Sequence, residues 1–259
     1  MNIAVCMKQV PSSNEVKIDP VTKTIVRDGK QSVINPFDSS ALELAVRIKE
    51  SLGGTVTAVS MGIPDTARLL RDALSRGCDR AALLSDKAFA GADTLATSYT
   101  LSLGIEKLGK CDLIICGKMA VDGDTAQIGP ELAEALNVSL ATDVEEIVFI
   151  NDKEIICWRE IDGGRQLVNV PLPALITVVK GISQPRMPSI SSIRFSKTAP
   201  LDIYTAEDLD ADTSRTGLEG SPTQVVKTFV PLKNSECIEL KGDAKSLSRQ
   251  IASIIKEVK

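Results

Sequence analysis

Four short apolar runs, Asn2–Met7, 55–61, 81–84 and Asp112–Cys116, are separated by segments in which apolar residues recur every three or four positions. This alternation constrains the chain more than any single motif. Runs this short, rich in valine and isoleucine, have the character of strands buried on both faces. Ala41, Leu44, Ala45, Ile48 and Leu52 form one helical stripe, Ala67, Leu70, Ala73 and Leu74 a second, and Leu95, Tyr99, Leu103 and Leu108 a third. Strands and helices in turn predict an α/β fold, a doubly wound, mostly parallel sheet with crossover helices.

Past residue 143 the pattern changes. Glu146–Ile150, Glu154–Ile161 and Arg165–Val170, separated by Asn151-Asp152-Lys153 and Asp162-Gly163-Gly164, predict antiparallel strands joined by turns, an inserted hairpin over residues 145–170. Ala174–Val179 returns to buried-strand character. The stretch from Gly181 to Pro200 holds three prolines and five serines and predicts an exposed loop or arm. Residues 201–242 show little periodicity. At the end of the chain Leu247, Ile251, Ile254, Ile255 and Val258 line one helical face behind a cap at Asp243. That stripe packs either on its own domain or on a partner subunit. The expected division is a main domain over 1–200 and a C-terminal arm and helix over 201–259.

Composition narrows the function. With 259 residues, 43% hydrophobic and 25% charged, the chain has the material for one main domain with extensions. A net charge of -4, a pI near 5.1 and 3% aromatic residues argue against a nucleic-acid partner, which needs basic surface and stacking platforms. No apolar run reaches the roughly 18 residues of a membrane span, and the N-terminus does not read as a signal sequence. A cytoplasmic location is the expectation. Cys6, Cys78, Cys111, Cys116, Cys157 and Cys237 are dispersed without a CxxC pair, which favours buried reduced thiols over a metal or cluster site. The chain has no histidine, which removes Ser-His and Cys-His nucleophile activation and histidine-bearing metal sites. Redox chemistry on a bound cofactor fits that constraint.

The richest segment runs Gly117-Lys118-Met119-Ala120-Val121-Asp122-Gly123-Asp124-Thr125-Ala126-Gln127-Ile128-Gly129-Pro130, between a strand and the helical run Glu131–Leu136. Its glycines permit close backbone approach, and amides at the next helix N-terminus can receive a phosphate, with Thr125 and Gln127 as further donors. Asp122, Asp124 and Thr125 capping that helix is the alternative, and two aspartates facing a phosphate would repel it unless they accept from amides or ribose hydroxyls. Asn35-Pro36-Phe37-Asp38 precedes the first long stripe, with Asp38 or Ser39 as candidate caps. Residues 6–11, 35–38, 60–64 and 117–130 are expected to converge at one edge of the sheet, the usual cofactor site. Lys8 either contacts the ligand or is simply solvated. Asp93-Thr94 starts the third helix.

Val5-Cys6-Met7-Lys8-Gln9-Val10-Pro11, the Asn35-Pro36-Phe37-Asp38 block with Ala41-Leu42-Glu43, Arg71-Asp72-Ala73-Leu74, Gly77-Cys78-Asp79-Arg80-Ala81 and the 117–130 loop together resemble electron transfer flavoprotein beta subunits. So does Arg159-Glu160-Ile161-Asp162-Gly163-Gly164 followed by Pro173-Ala174-Leu175-Ile176-Thr177, and the resemblance runs in order over essentially the whole chain. It implies a Rossmann-like domain paired with an alpha subunit that carries an electron-shuttling FAD, while the beta subunit holds AMP or a second FAD. Conventional members carry an Asp-Asn-Gln-Thr type of loop and bind AMP. Members that bifurcate electrons carry Asp-Gly-Asp-Thr-Ala-Gln-Val-Gly-Pro and bind FAD. This chain differs from the second pattern only by Ile128 for valine.

By the same resemblance Cys6, Asn35, Pro36, Phe37, Asp38, Met61 and Asp122, Gly123, Asp124, Thr125, Ala126, Gln127, Ile128 and Gly129 line the nucleotide site. NADH is the implied electron donor. Ferredoxin or flavodoxin and an acyl-CoA dehydrogenase-type flavoprotein are the implied acceptors, and the arm over 181–190 is the implied docking loop, with Ile182 inserting into the dehydrogenase. Two other readings stand beside this one: a conventional subunit holding AMP structurally, and a stand-alone ATP-binding α/β protein of the same fold class.

Overall fold

The computed structural model describes residues 1–12, 32–226 and 239–257. It divides into two units, Met1–Gln224 and Val225–Lys259.

The first unit runs β1 (Asn2–Cys6), β2 (Gln9–Pro11), β3 (Ser32–Ile34), α1 (Pro36–Leu52), β4 (Thr55–Met61), α2 (Ala67–Ser75), β5 (Arg80–Leu84), α3 (Thr94–Leu108), β6 (Leu113–Gly117), α4 (Ile128–Ala135), β7 (Ser139–Ile150), β8 (Glu154–Ile161), β9 (Gly164–Pro171), β10 (Ala174–Val178), α5 (Ile190–Thr198) and β11 (Leu201–Tyr204). Nine strands form one sheet in the order β11-β5-β4-β1-β6-β10-β7-β8-β9, and β2 pairs with β3 in a separate ribbon. From β11 to β7 every pairing is parallel; β8 and β9 are antiparallel additions. The expected α/β fold and doubly wound, mostly parallel sheet are therefore present.

Alternation along each strand sends neighbouring side chains to opposite faces. On β1, Ile3 and Val5 enter one apolar cluster with Leu42, Leu70, Leu74 and Ile176, whereas Ala4 and Cys6 enter the other with Leu84, Leu101, Ile105 and Leu132. α1 and α2 cover the first face, α3 and α4 the second, so strands β1, β6 and β10 are buried along most of their length. Burying each such leucine or isoleucine contributes about 1.5–3 kcal/mol. The strand order departs in opposite directions from β1 and β6. Their carboxyl ends therefore flank the crevice where doubly wound sheets take ligands.

The antiparallel strands expected past residue 143 are present: β7, which begins at Ser139, pairs parallel with β10 through Val144 and, from Val144 onward, antiparallel with β8, which pairs in turn with β9. Two expectations change. The Gly181–Pro200 stretch is not all loop, because Ser189 caps the two-turn helix α5 by accepting from Ser192 N at 3.1 Å. Finally, β11 joins the sheet edge beside β5, and Ala206 and Leu209 are buried in the second cluster, so the first unit extends to Gln224 rather than ending at 200.

In the second unit, α6 (Ala244–Glu257) starts where expected, with Asp243 Oδ1 accepting from Ser246 N at 2.8 Å. Ile251, Ile254 and Ile255 are exposed. Val258 and Cys237 lie outside the described residues.

Candidate functional site

At the crevice between β1 and β6 the chain makes a junction around one buried asparagine. Beyond Cys6 the backbone leaves the sheet, and the β2–β3 ribbon returns it so that Asn35 N donates to Lys8 O at 3.0 Å. Pro36 holds Asn35 extended and opens α1. The Asn35 side chain is 1% exposed and fully engaged: Nδ2 donates to Asp38 Oδ1 and Met119 O, both at 2.9 Å, and Oδ1 accepts from Val121 N at 3.3 Å. One residue thus joins the first loop, the start of α1 and the loop after β6. Of the segments expected to converge, 6–11, 35–38, 60–64 and 117–130, these bonds join Lys8, Asn35, Asp38, Met119 and Val121, and none of them reaches 60–64 or 123–130.

Asp38 is not the cap expected of it. Helix α1 starts at Pro36, so Asp38 sits inside its first turn and reaches backward to accept from Lys8 N at 2.7 Å. Burial pushes its carboxyl up to about 7, against the hydrogen bonds from Asn35, Lys8 and Gly117 that pull it down. Because this value lies above that of the unfolded chain, Asp38 stabilises the fold most at acid pH, and the contribution is lost as pH rises through about 7. Thermal unfolding from pH 4 to 8 should therefore show a steeper decline for the native chain than for Asp38→Asn. Parallel curves would remove Asp38 as the titrating group.

Gly117 ends β6 against this carboxylate. A Cβ there would sit 2.6 Å from Phe37 Cβ and closer still to Asp38 Oδ1, so only glycine lets α1 approach. Beyond it, Gly123 N and Asp124 N both donate to Ala120 O, and Asp124 and Ala126 take left-handed backbone conformations at φ 53 and 55. Residues 121–127 are exposed. Lys8 Nζ meets Asp122 Oδ1 at 2.7 Å, which neutralises one of the two aspartates whose charge would repel a phosphate. Lys8 is thus a member of the junction.

Asp122, Asp124 and Thr125 do not cap α4. Its N-cap is Gln127, without a side-chain cap bond; because Pro130 has no N–H and Glu131 N already donates to Gln127 O, the first turn leaves the amides of Ile128 and Gly129 without a capping side chain. Glu131 fixes the helix by accepting from Thr94 Oγ1 at 3.0 Å and Ser98 Oγ at 3.2 Å on α3. Gly129 lets α4 press on β10, since a Cβ would collide with Thr177 Cγ2. Asp93 caps α3 as expected, accepting from Ala96 N at 3.1 Å. The result is an exposed turn of backbone leading to an uncapped helix N-terminus, a ready receptor for an anion.

Phe37 is half-buried at the start of α1, and Met61 is half-buried at the end of β4 against the second cluster. Cys6 and Cys116, at the ends of neighbouring strands, are buried in that cluster, and their mutual hydrogen bond followed by burial pushes the Cys116 thiol far above its ordinary value. They act as small apolar groups under the site. Two clefts, of about 440 and 410 Å³, are lined elsewhere, the first by Gln9, Ser39, Asp65 and Arg68 and the second by Lys118, Asp143, Arg159 and Glu160. Neither includes the 121–127 turn.

Ile182 lies apart from the junction. It is half-buried against the first cluster, whereas Met187 and Ile190 farther along the arm are 88% and 75% exposed. Sequence reasoning singled out the loop's donors but gave no weight to Met119 O and Val121 N. Backbone atoms leave no mark in residue identity.

A family model described as electron transfer flavoprotein domain matches residues 22–209. The chain is 48% identical over 233 residues to an electron transfer flavoprotein subunit beta from Thermoanaerobacterium thermosaccharolyticum, covering 89% of this chain and 88% of that protein. It is 46% identical over 232 residues to the caffeyl-CoA reductase-Etf complex subunit CarD of Acetobacterium woodii, covering 89% and 88%. It is 44% identical over 246 residues to protein FixA of Azotobacter vinelandii, covering 93% and 88%.

Proposed function

The chain belongs to the electron transfer flavoprotein family, on its beta-subunit side, and from that premise we propose that it is the nucleotide-holding half of a heterodimer that bifurcates electrons. The carrying observation is the exposed 121–127 turn running into the uncapped start of α4, held to the sheet edge by Asn35 and Asp38. Its backbone donors suit a nucleotide phosphate, with Lys8 paired to Asp122 beside them. The Asp122-Gly123-Asp124-Thr125 sequence favours FAD over AMP as the ligand. Bound there, the flavin supplies two-electron acceptance from NADH and onward transfer of single electrons. This chain's own residues bind and orient it: Gly117 lets α1 close on β6, Asn35 ties the loop after β6 to the start of α1, and Phe37 and Met61 are proposed as further lining.

The proposed heterodimer pairs this chain with an alpha subunit carrying the second FAD. The open character of the turn is consistent with a site that the alpha subunit completes, and the exposed isoleucine stripe of α6 is consistent with a helix that packs on it. Electrons from NADH divide between an acyl-CoA dehydrogenase-type flavoprotein and ferredoxin or flavodoxin. The caffeyl-CoA reductase complex named for one relative is in keeping with a partner of that type. Docking of the dehydrogenase is assigned to Met187 and Ile190 on the exposed arm, because Ile182 is partly used in the core.

Acid release and chromatography of nucleotides from the anaerobically purified heterodimer test this reading. The expected content is two FAD and no AMP per heterodimer, with NADH bleaching the flavin spectrum. One FAD and one AMP would leave a conventional carrier and sink bifurcation.

A further inference from the structure

Helix α1 carries, away from its nucleotide end, a cluster of charges that the junction does not use. Glu43 is 4% exposed, and a carboxylate is rarely buried so deeply without a dedicated partner. Its partner is Arg186 on the arm. Arg186 Nε donates to Glu43 Oε2 at 2.8 Å, Nη2 to Oε1 at 3.2 Å and the backbone N to Oε2 at 3.1 Å. The same guanidinium also pairs with Glu50 one face-repeat along α1. Arg47 Nε donates to Glu43 Oε1 at 2.7 Å, and Arg76 Nη1 donates to Arg186 O at 3.3 Å. Burial works to raise the Glu43 carboxyl, and Arg186 and then Arg47 outweigh it, holding it below the usual carboxylate range.

The arm is fastened again on both sides of this clamp. Gly181 N donates to Ser40 Oγ on α1 at 3.1 Å, and Arg71 on α2 donates to Ser196 O and Ala199 O, both at 2.7 Å, at the end of α5. Met187 and Ile190, the most exposed apolar side chains of the arm, lie immediately after Arg186. A surface segment with so few buried apolar contacts gains order from these fastenings rather than from a core. Ordering it in advance removes a cost that docking would otherwise carry.

We infer that Glu43 is a positioning residue for electron transfer to the partner: through Arg186 it sets the arm so that Met187 and Ile190 are presented in one conformation. The inference rests on the docking role proposed for the arm. Because Glu43 stands on the helix that Asn35 precedes and whose first turn holds Asp38, the arm and the nucleotide turn are referenced to one rigid element.

The test uses the complete heterodimer with Glu43→Gln, which keeps the side-chain shape and removes the charge. An acyl-CoA dehydrogenase with an enoyl-CoA as terminal acceptor is the probe, with ferredoxin present to take the second electron of each NADH, and hydrogen exchange of amides 182–190 is followed in parallel. The expected result is a KM for the dehydrogenase raised roughly tenfold with kcat and NADH-driven flavin reduction unchanged, and arm exchange accelerated by a similar factor. Arg186→Gln should reproduce both effects, and serves if the Glu43 variant fails to fold. Ile190→Asp separates the two readings. If it abolishes transfer while both clamp variants behave as the native protein, positioning by Glu43 is overturned and docking stands. If it leaves transfer intact, or the native heterodimer does not reduce the dehydrogenase, docking by the arm is overturned and this inference with it.

Discussion

Asn35→Ala is expected to lower the stability of the first unit by roughly 2–4 kcal/mol and to release bound nucleotide on gel filtration. Asn35 is 1% exposed and satisfies three groups from two other segments: Asp38 Oδ1, Met119 O and Val121 N. Orphaning a buried donor or acceptor costs about 1–3 kcal/mol, and water can reach some of these partners because the turn beyond them is exposed. The loss should appear as a fall in Tm of roughly 5–15 °C for a unit of this size. Asn35→Asp supplies the acceptor for Val121 but sets a second carboxylate against Asp38, so it should be at least as damaging near neutral pH. Thermal unfolding beside nucleotide content is the measurement. A change below about 1 kcal/mol, a typical single hydrogen bond, would mean that Asn35 does not hold the junction together.

Gly117→Ala should cost roughly 1–3 kcal/mol through a different cause, overpacking. The added methyl meets Phe37 Cβ at 2.6 Å and Asp38 closer still, and Asp38 N at 3.0 Å. Two of these three contacts are to a helix backbone or its Cβ, which cannot swing aside as a flexible side-chain end can. The start of α1 must back away from β6, lengthening the bonds from Lys8 and Asn35 to Asp38 and tilting the nucleotide turn. Nucleotide affinity should fall together with stability. Gly164→Ala is the control, because nothing lies within 4 Å of a Cβ there and its backbone is not left-handed. It should change stability by less than about 0.5 kcal/mol. Equal effects at the two glycines would place the cost in backbone entropy rather than in the contact with α1.

Much of the sheet was legible because burial on both faces leaves a strong compositional trace. Asn2–Cys6, Thr55–Met61 and Ala174–Val178 could hardly be anything but interior strands, and the stripe from Ala41 to Leu52 could hardly miss being a helix. Elements that bury little were not legible. Strand β11 has no fully buried residue, and α5 is two turns long, serine-rich and preceded by Pro188, so neither leaves a period to read. Strand β7 was read too short because it changes partners midway, from parallel β10 to antiparallel β8, and pairing partners are not written in a strand's own residues.

The candidate site divides along the same line. By itself the sequence determined the order of strands and helices, the family and the loop that carries the nucleotide-site glycines and donors, because these depend on local composition and contiguous motif. Tertiary structure alone decided that Asp38 accepts from the loop after β1 instead of capping α1, that the Asn35 side chain binds the loop after β6, that Lys8 pairs with Asp122 across 114 residues, and that Ile182 is drawn inward while Met187 and Ile190 face out. A side chain's hydrogen bonds are chosen among the groups the fold brings within reach. For these residues those groups come from segments far away in the chain, where pattern and propensity carry no record of them.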